Sequence, residues 1–125
     1  MDYSDNISSS DLAYLGDAVI EVMVRERLVK NGHCKGEHLS DLALSFVTAK
    51  AQSDAFANIE ASLTDEETDV FHRARNNFHT SNVPKSATPM QYRRATGFEA
   101  LFAHLWLKGD TERLKELFNM AYPEK

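Results

Sequence analysis

The chain has one cysteine, no long apolar run, no zinc-like histidine spacing and no acidic residue between His72 and Phe98. Each absence excludes something. A lone Cys34 forbids an intrachain disulfide and reads as the reduced thiol of a cytosolic protein. As a nucleophile it would need a neighbouring base, and His33 and His38 are weak candidates. No stretch approaches the ~18 apolar residues of a membrane span. The opening MDYSDNISSS lacks the basic start and apolar core of a signal peptide, so a cytoplasmic protein is expected. Histidines 33, 38, 72, 79 and 104 show no metal-ligand pattern, and His104 on an apolar helix reads as a satisfied core residue. There is no glycine-rich phosphate loop and no G-x-S-x-G.

What is present suits one helical domain. The 125 residues match one ordinary domain, 1–125, whose polar residues 1–10 are expected to be flexible. An apolar share of 42%, with twelve aromatics, supplies a core. Serines 8–10 and Asp11 offer N-caps for an apolar run from Leu12 to about Lys30, ended by Asn31-Gly32. From near Glu37, Leu39, Leu42, Ala43, Phe46, Val47 and Ala51 keep helical spacing, with a possible break at Val47-Thr48. Thr64 and Glu67 form a capping-box pattern opening a helix from Asp65 to about Asn77. Residues 78–88 lack a helical period and read as a loop bracketed by Pro84 and Pro89. Pro89 opens a helix running to about Lys108, closed by Gly109. Asp110 caps a last helix with Leu114, Leu117, Phe118 and Ala121 on one face. No strand-like alternation persists, so the expected class is all-α.

Two helices carry carboxylates in an apolar setting. LAYLGDAVIEVMV (12–24) is apolar around most of its circumference yet holds Asp17 and Glu21, and TGFEALFAHLWL (96–107) holds Glu99. A buried carboxylate is costly unless it is hydrogen-bonded, paired or metal-bound. Gly16 and Gly97 stand beside these acids, and a helical glycine marks close packing or ligand access. Crossing helices would bring both acids to one cavity, an oxygen-ligand setting suited to Mg²⁺ or Mn²⁺. Structural ion pairs remain open, Glu21 with Arg25 and Glu99 with Arg94.

The net charge of −5 argues mildly against a nucleic-acid partner, but its arrangement argues the other way. The acid-free segment holds five of the fourteen basic residues: Arg73, Arg75, Lys85, Arg93 and Arg94. Asn76, Asn77, Ser81 and Asn82 add polar donors. Cations beside a carboxylate pair are what phosphodiester cutting requires. A solvated loop with its arginines paired elsewhere is the alternative.

YLGDAVIE (14–21) resembles the ribonuclease III family's E-x-x-E-F-L-G-D-A-V motif, and TGFEALFAHLWL its late D-x-x-E-A-L-I-G motif. SFVTAKAQSDA (45–55), HRARNN (72–77) and YRRATGFEAL (92–101) resemble the Mini-ribonuclease III branch in particular. The resemblance runs from about Leu12 to Leu117. It implies the family's all-α catalytic-domain fold as a homodimer, with Asp17 and Glu99 as catalytic and metal-binding residues. It implies a Mg²⁺ cofactor, with Mn²⁺ as its substitute. The implied activity is cleavage of double-stranded RNA, leaving 5′-phosphate ends, in maturation of large-subunit (23S) ribosomal RNA. Arg73, Arg75, Asn76, Lys85, Arg93 and Arg94 are the RNA-binding candidates. The chain departs from the larger enzymes at Ala13 and Thr96, where those carry further acids, a reduction the Mini branch shares. Ala74 and Ile20 are milder departures. No separate double-stranded-RNA-binding domain is expected, so RNA affinity must come from the catalytic domain. The rival reading is a non-catalytic helical domain that dimerises and binds RNA or protein.

Overall fold

The computed structural model describes residue 3 and residues 6–32, 36–77 and 87–124. Helix α1 spans Ser9–Asn31, α2 Gly36–Val47, α3 Ala49–Ala57, α4 Asp65–Asn76, α5 Pro89–Lys108 and α6 Thr111–Ala121, with a 3₁₀ turn at Glu60–Ser62. No strand is present among the described residues.

The ends follow from local side-chain chemistry. The Ser8, Thr48 and Asp110 side chains accept from backbone N–H groups at the starts of α1, α3 and α6. Thr48 therefore breaks the second helical stretch in two. Thr64 with Glu67, and Thr88 with Gln91, form full capping boxes on α4 and α5. Gly32 and Gly109 close α1 and α5 at φ of 64° and 75°, the left-handed region where a side chain is strained.

Helix α5 is the axis of the fold, packed against α1, α3, α4 and α6. Gly97, Phe98 and Ala100–Leu105 are all buried. The main core joins Phe98, Leu101, Phe102 and Leu105 of α5 to Ile20 and Val24 of α1, Phe56 of α3 and Phe71 of α4. Helix α6 adds Leu117 and Phe118. Burying a side chain of this size contributes roughly 1.5–3 kcal/mol each.

Helix α1 corrects the sequence expectation. It is not enclosed all round: Asp17 and Ala18 are exposed, with Tyr14 85% and Val22 64% exposed. Its apolar residues outnumber the partners that cover them within the chain. His104 is the satisfied core residue expected, fully buried between the Tyr3 hydroxyl at 2.6 Å and the Glu66 carboxylate at 2.8 Å. Lys108 and His104 together hold the Glu66 carboxyl at about 2. No helix among the described residues is long and apolar enough to cross a membrane.

Candidate active site

The crossing of α1 over α5 builds the site. A Cβ on Gly16 would lie 1.7 Å from the backbone carbonyl oxygen of Glu99, so only glycine permits this approach. Gly97 performs the same service on the other side of α5, where a Cβ would meet the Phe71 ring at 2.5 Å. With α5 clamped between α1 and α4, Asp17 and Glu99 line one open cleft of about 420 Å³. Gln52 enters from α3, Asn77 from the end of α4, and Tyr92 and Thr96 from α5. No lysine or arginine lines the cleft among the described residues.

The electrostatics follow from that lining. Burial first, and the Asp17 charge second, push the Glu99 carboxyl up to about 9, and a hydrogen bond to Asp17 adds to the shift. Gln52 opposes it, since its amide favours the ionised form. Yet Gln52, only 2% exposed, leaves its Nε2 without a hydrogen-bond partner of normal geometry. Glu99 also acts outward, raising the Tyr122 phenol, whose burial is the larger cause. The Tyr122 hydroxyl donates to the Phe46 carbonyl at 2.8 Å. The cleft thus holds a carboxylate pair with no cationic side chain beside it among the described residues and a buried amide nitrogen without a bond of normal geometry. Oxygen donors of this kind fit Mg²⁺ or Mn²⁺, which commonly binds one or two carboxylates and completes its shell with water or substrate oxygens. No cluster of three or more His, Cys, Asp or Glu exists among the described residues, so protein ligands alone would not enclose an ion.

The alternative pairings divide. Glu21 does pair with Arg25, at 3.0 Å. Arg94 does not pair with Glu99 and lies over the Phe56 ring, 5.5 Å from its centroid.

A family model described as the ribonuclease III domain matches residues 10–110. The chain belongs to the ribonuclease III family. A Mini-ribonuclease 3 of Symbiobacterium thermophilum is 44% identical over 110 residues, covering 88% of this chain and 84% of the relative. A Mini-ribonuclease 3 of Thermoanaerobacter is 35% identical over 116 residues, covering 93% and 81%. A crystal structure of a Fusobacterium nucleatum protein superposes with a TM-score of 0.84 at 30% identity, covering 93% of this chain and 92% of that one.

Within the ribonuclease III fold, Ala13 and Thr96 line the cleft beside Asp17 and Glu99. The two positions at which the larger enzymes carry further acids therefore face the site here without a charge. The Thr96 hydroxyl donates to the Tyr92 carbonyl at 2.9 Å instead.

The basic candidates separate into groups. Arg75, Asn76, Arg93 and Arg94 line a second cavity between α3, α4 and α5. Arg73 is exposed and paired with Asp69 at 2.5 Å. Lys85, with His79, Ser81 and Asn82, lies outside the described residues. Gln52, Asn77 and Tyr92 were not singled out as cleft residues by the sequence. The sequence carries no local signal for Gln52, a polar residue within a helical run of mixed apolar and polar positions.

Proposed function

We propose that this chain is an endoribonuclease that cuts double-stranded RNA by divalent-cation-dependent hydrolysis of a phosphodiester, with Asp17 and Glu99 as its catalytic pair. The observation that carries this reading is the meeting of Asp17 and Glu99, from two different helices, in one cleft whose lining holds no cationic side chain among the described residues. Membership of the ribonuclease III family and the relatives named Mini-ribonuclease 3 support it.

Asp17 and Glu99 would hold Mg²⁺, or Mn²⁺ in its place. When bound, that ion supplies positive charge to the scissile phosphate and lowers the pKa of the water that attacks it. Glu99 must release its proton for the pair to serve as a ligand, and its raised pKa makes that release dependent on the arriving charge. Gln52 and Asn77 line the same cleft, and the exposed Asn77 amide is proposed as a donor to phosphate or ribose oxygens. Water adds to phosphorus and the 3′-oxygen leaves, giving 5′-phosphate and 3′-hydroxyl ends.

Arg73, Arg75, Asn76, Lys85, Arg93 and Arg94 are proposed to contact RNA phosphates, Arg73 and Lys85 on the duplex itself, recognised by shape more than by sequence, and the four that line the second cavity on RNA outside the acid cleft. The natural task proposed is maturation of large-subunit ribosomal RNA, on the strength of the likeness to the Mini branch. A homodimer is proposed because paired cuts on opposite strands need two sites. The exposed Tyr14 and Val22 support that assembly.

The test is a long RNA duplex incubated with the purified protein and Mg²⁺. Products from the parent, none from Glu99→Gln or Asp17→Asn, and none in EDTA are expected. No cutting under any divalent cation would overturn catalysis and leave the non-catalytic binding domain. Sequencing ribosomal RNA precursors with and without the protein tests the substrate.

A further inference from the structure

Four of the RNA-binding candidates do not face the acids. Tyr92, Ala95, Thr96 and Glu99 point one side of α5 into the acid cleft, whereas Met90, Arg93 and Arg94 turn another side toward the second cavity. At 3.6 residues per turn the centres of these two sets lie roughly 160° apart round the helix. Arg75 and Asn76 enter the second cavity from α4, and its volume is about 560 Å³.

The guanidinium groups in it are held in place. Phe56 and Phe71 stack with centroids 3.8 Å apart and planes 5° from parallel. Arg94 sits over the Phe56 ring at 5.5 Å, and Arg75 over the Phe71 ring at 5.8 Å. Neither Arg75 nor Arg94 has a carboxylate partner among the described residues, and Arg75 donates only to the Asn76 amide oxygen at 3.3 Å. Elsewhere Arg25, Arg27, Arg73 and Arg113 are each paired with an acid. The one acid of the cavity lining is Glu60, which is exposed.

We propose that this cavity binds the phosphate of a single unpaired nucleotide on the RNA strand continuing beyond the duplex, separately from the duplex seated at the acids. The inference rests on the RNA-cutting reading above. Converging guanidinium groups with an amide beside them are phosphate-recognition chemistry. The size selects the form: a few hundred cubic ångströms accommodates a small ligand. A rigid duplex, whose phosphates lie on the outside of a wide cylinder, cannot enter. The distance fits too, since Arg93 and Arg94 stand six and five residues before Glu99, roughly 8 Å along α5. A strand leaving the cleft can turn round the start of α5 and reach them.

The experiment measures fluorescence anisotropy in the Glu99→Gln background, where no cutting intervenes, at several salt concentrations. A blunt RNA duplex is compared with the same duplex carrying a short single-stranded overhang. The overhang is expected to tighten binding about tenfold. Arg75→Gln and Arg94→Gln, which keep polar stems over the phenylalanines, should each remove most of that gain and change blunt-duplex binding less than twofold. Each should lower the salt slope for the overhang duplex by about 0.7 per lost contact. Glu60→Gln should tighten the overhang duplex by relieving repulsion. Thermal melts of each variant establish that it is folded. No gain from the overhang, or equal losses on both duplexes, overturns the proposal. ADP binding at micromolar concentration in an Arg94-dependent way, with no overhang gain, also overturns it and assigns the cavity to a free nucleotide. Failure of the parent to cut any duplex, with the overhang gain intact, overturns the catalytic reading and leaves this site standing.

Discussion

Gly16 of α1 lies so close to the Glu99 carbonyl of α5 that a Cβ would stand 1.7 Å from it, and backbone on both sides prevents either from yielding. This contact fixes how far apart Asp17 and Glu99 sit. Gly16→Ala must force the helices apart and should destabilise the fold by about 3 kcal/mol, the upper end of ordinary overpacking. Urea denaturation checks the stability. Cleavage should fall further than the folded fraction alone explains, because the acids separate. A Gly16→Ala protein of parental stability would show that the helices slide freely.

The raised pKa of Glu99 gives a pH dependence with a definite sign. Without a bound cation the native carboxyl keeps its proton up to about 9, while the unfolded chain releases it near 4.5. Stability from this group is therefore full below 4.5 and lost as pH rises toward 9. In EDTA the thermal midpoint of the parent should drop across that window relative to Glu99→Gln, which should be the more stable protein at the alkaline end. Excess Mg²⁺ should restore the parent and leave the variant unmoved. Parallel pH profiles for the two proteins would contradict the coupling of Asp17 and Glu99.

The helix ends and the carboxylate pair were legible in the sequence because their signals are local. Caps at Ser8, Thr64, Pro89 and Asp110 act within three residues, and a glycine beside an acid in an apolar helix advertises a close crossing. Two features were not legible, each for want of a long-range partner. The acid-free stretch looked like one basic surface, yet the turn of α5 directs Arg93 and Arg94 away from Glu99. The inward placement of Gln52 depends on how α3 packs against α5, which spacing along α3 alone does not set.

Arg113 and Glu67 provide a stability test remote from the site. The Glu67 carboxylate, only 4% exposed, caps α4 and receives two Arg113 hydrogen bonds at 2.8 Å across 46 residues of sequence. Burial raises its pKa, but the Arg113 and Thr64 hydrogen bonds outweigh that and leave it lowered. This contribution is present above the ordinary carboxylate range and disappears as pH falls through the lowered value. Arg113→Ala strands a buried charge and should cost about 3 kcal/mol at neutral pH in urea melts. Arg113→Lys should recover less than half, because an ammonium cannot reproduce the two-pronged contact. Asp54→Ala, which removes the exposed partner of Lys50, should cost far less.

The proposed homodimer makes a prediction that separates assembly from folding. Tyr14, Ala18 and Val22 recur at four-residue spacing along one face of α1, and Trp106 of α5 is 57% exposed nearby. Leu15, Ala18, Val22, Met23, Trp106 and Leu114 line an apolar cavity of about 340 Å³. Val24 of the same helix is fully buried within the chain and cannot contribute. Sedimentation of the parent at micromolar concentration should give about twice 14.1 kDa. Val22→Asp places a charge where the second copy would cover it, yet this side chain is 64% exposed in the single chain, so helix content should persist. The variant should sediment near 14.1 kDa. Its products should change character too: two sites cut opposite strands together, whereas one site alone leaves nicks. A native gel, which scores paired cuts, should show loss of cutting, while a denaturing gel should still show single-strand products. A parent protein that sediments as a monomer and still makes paired cuts would remove the dimer from the mechanism.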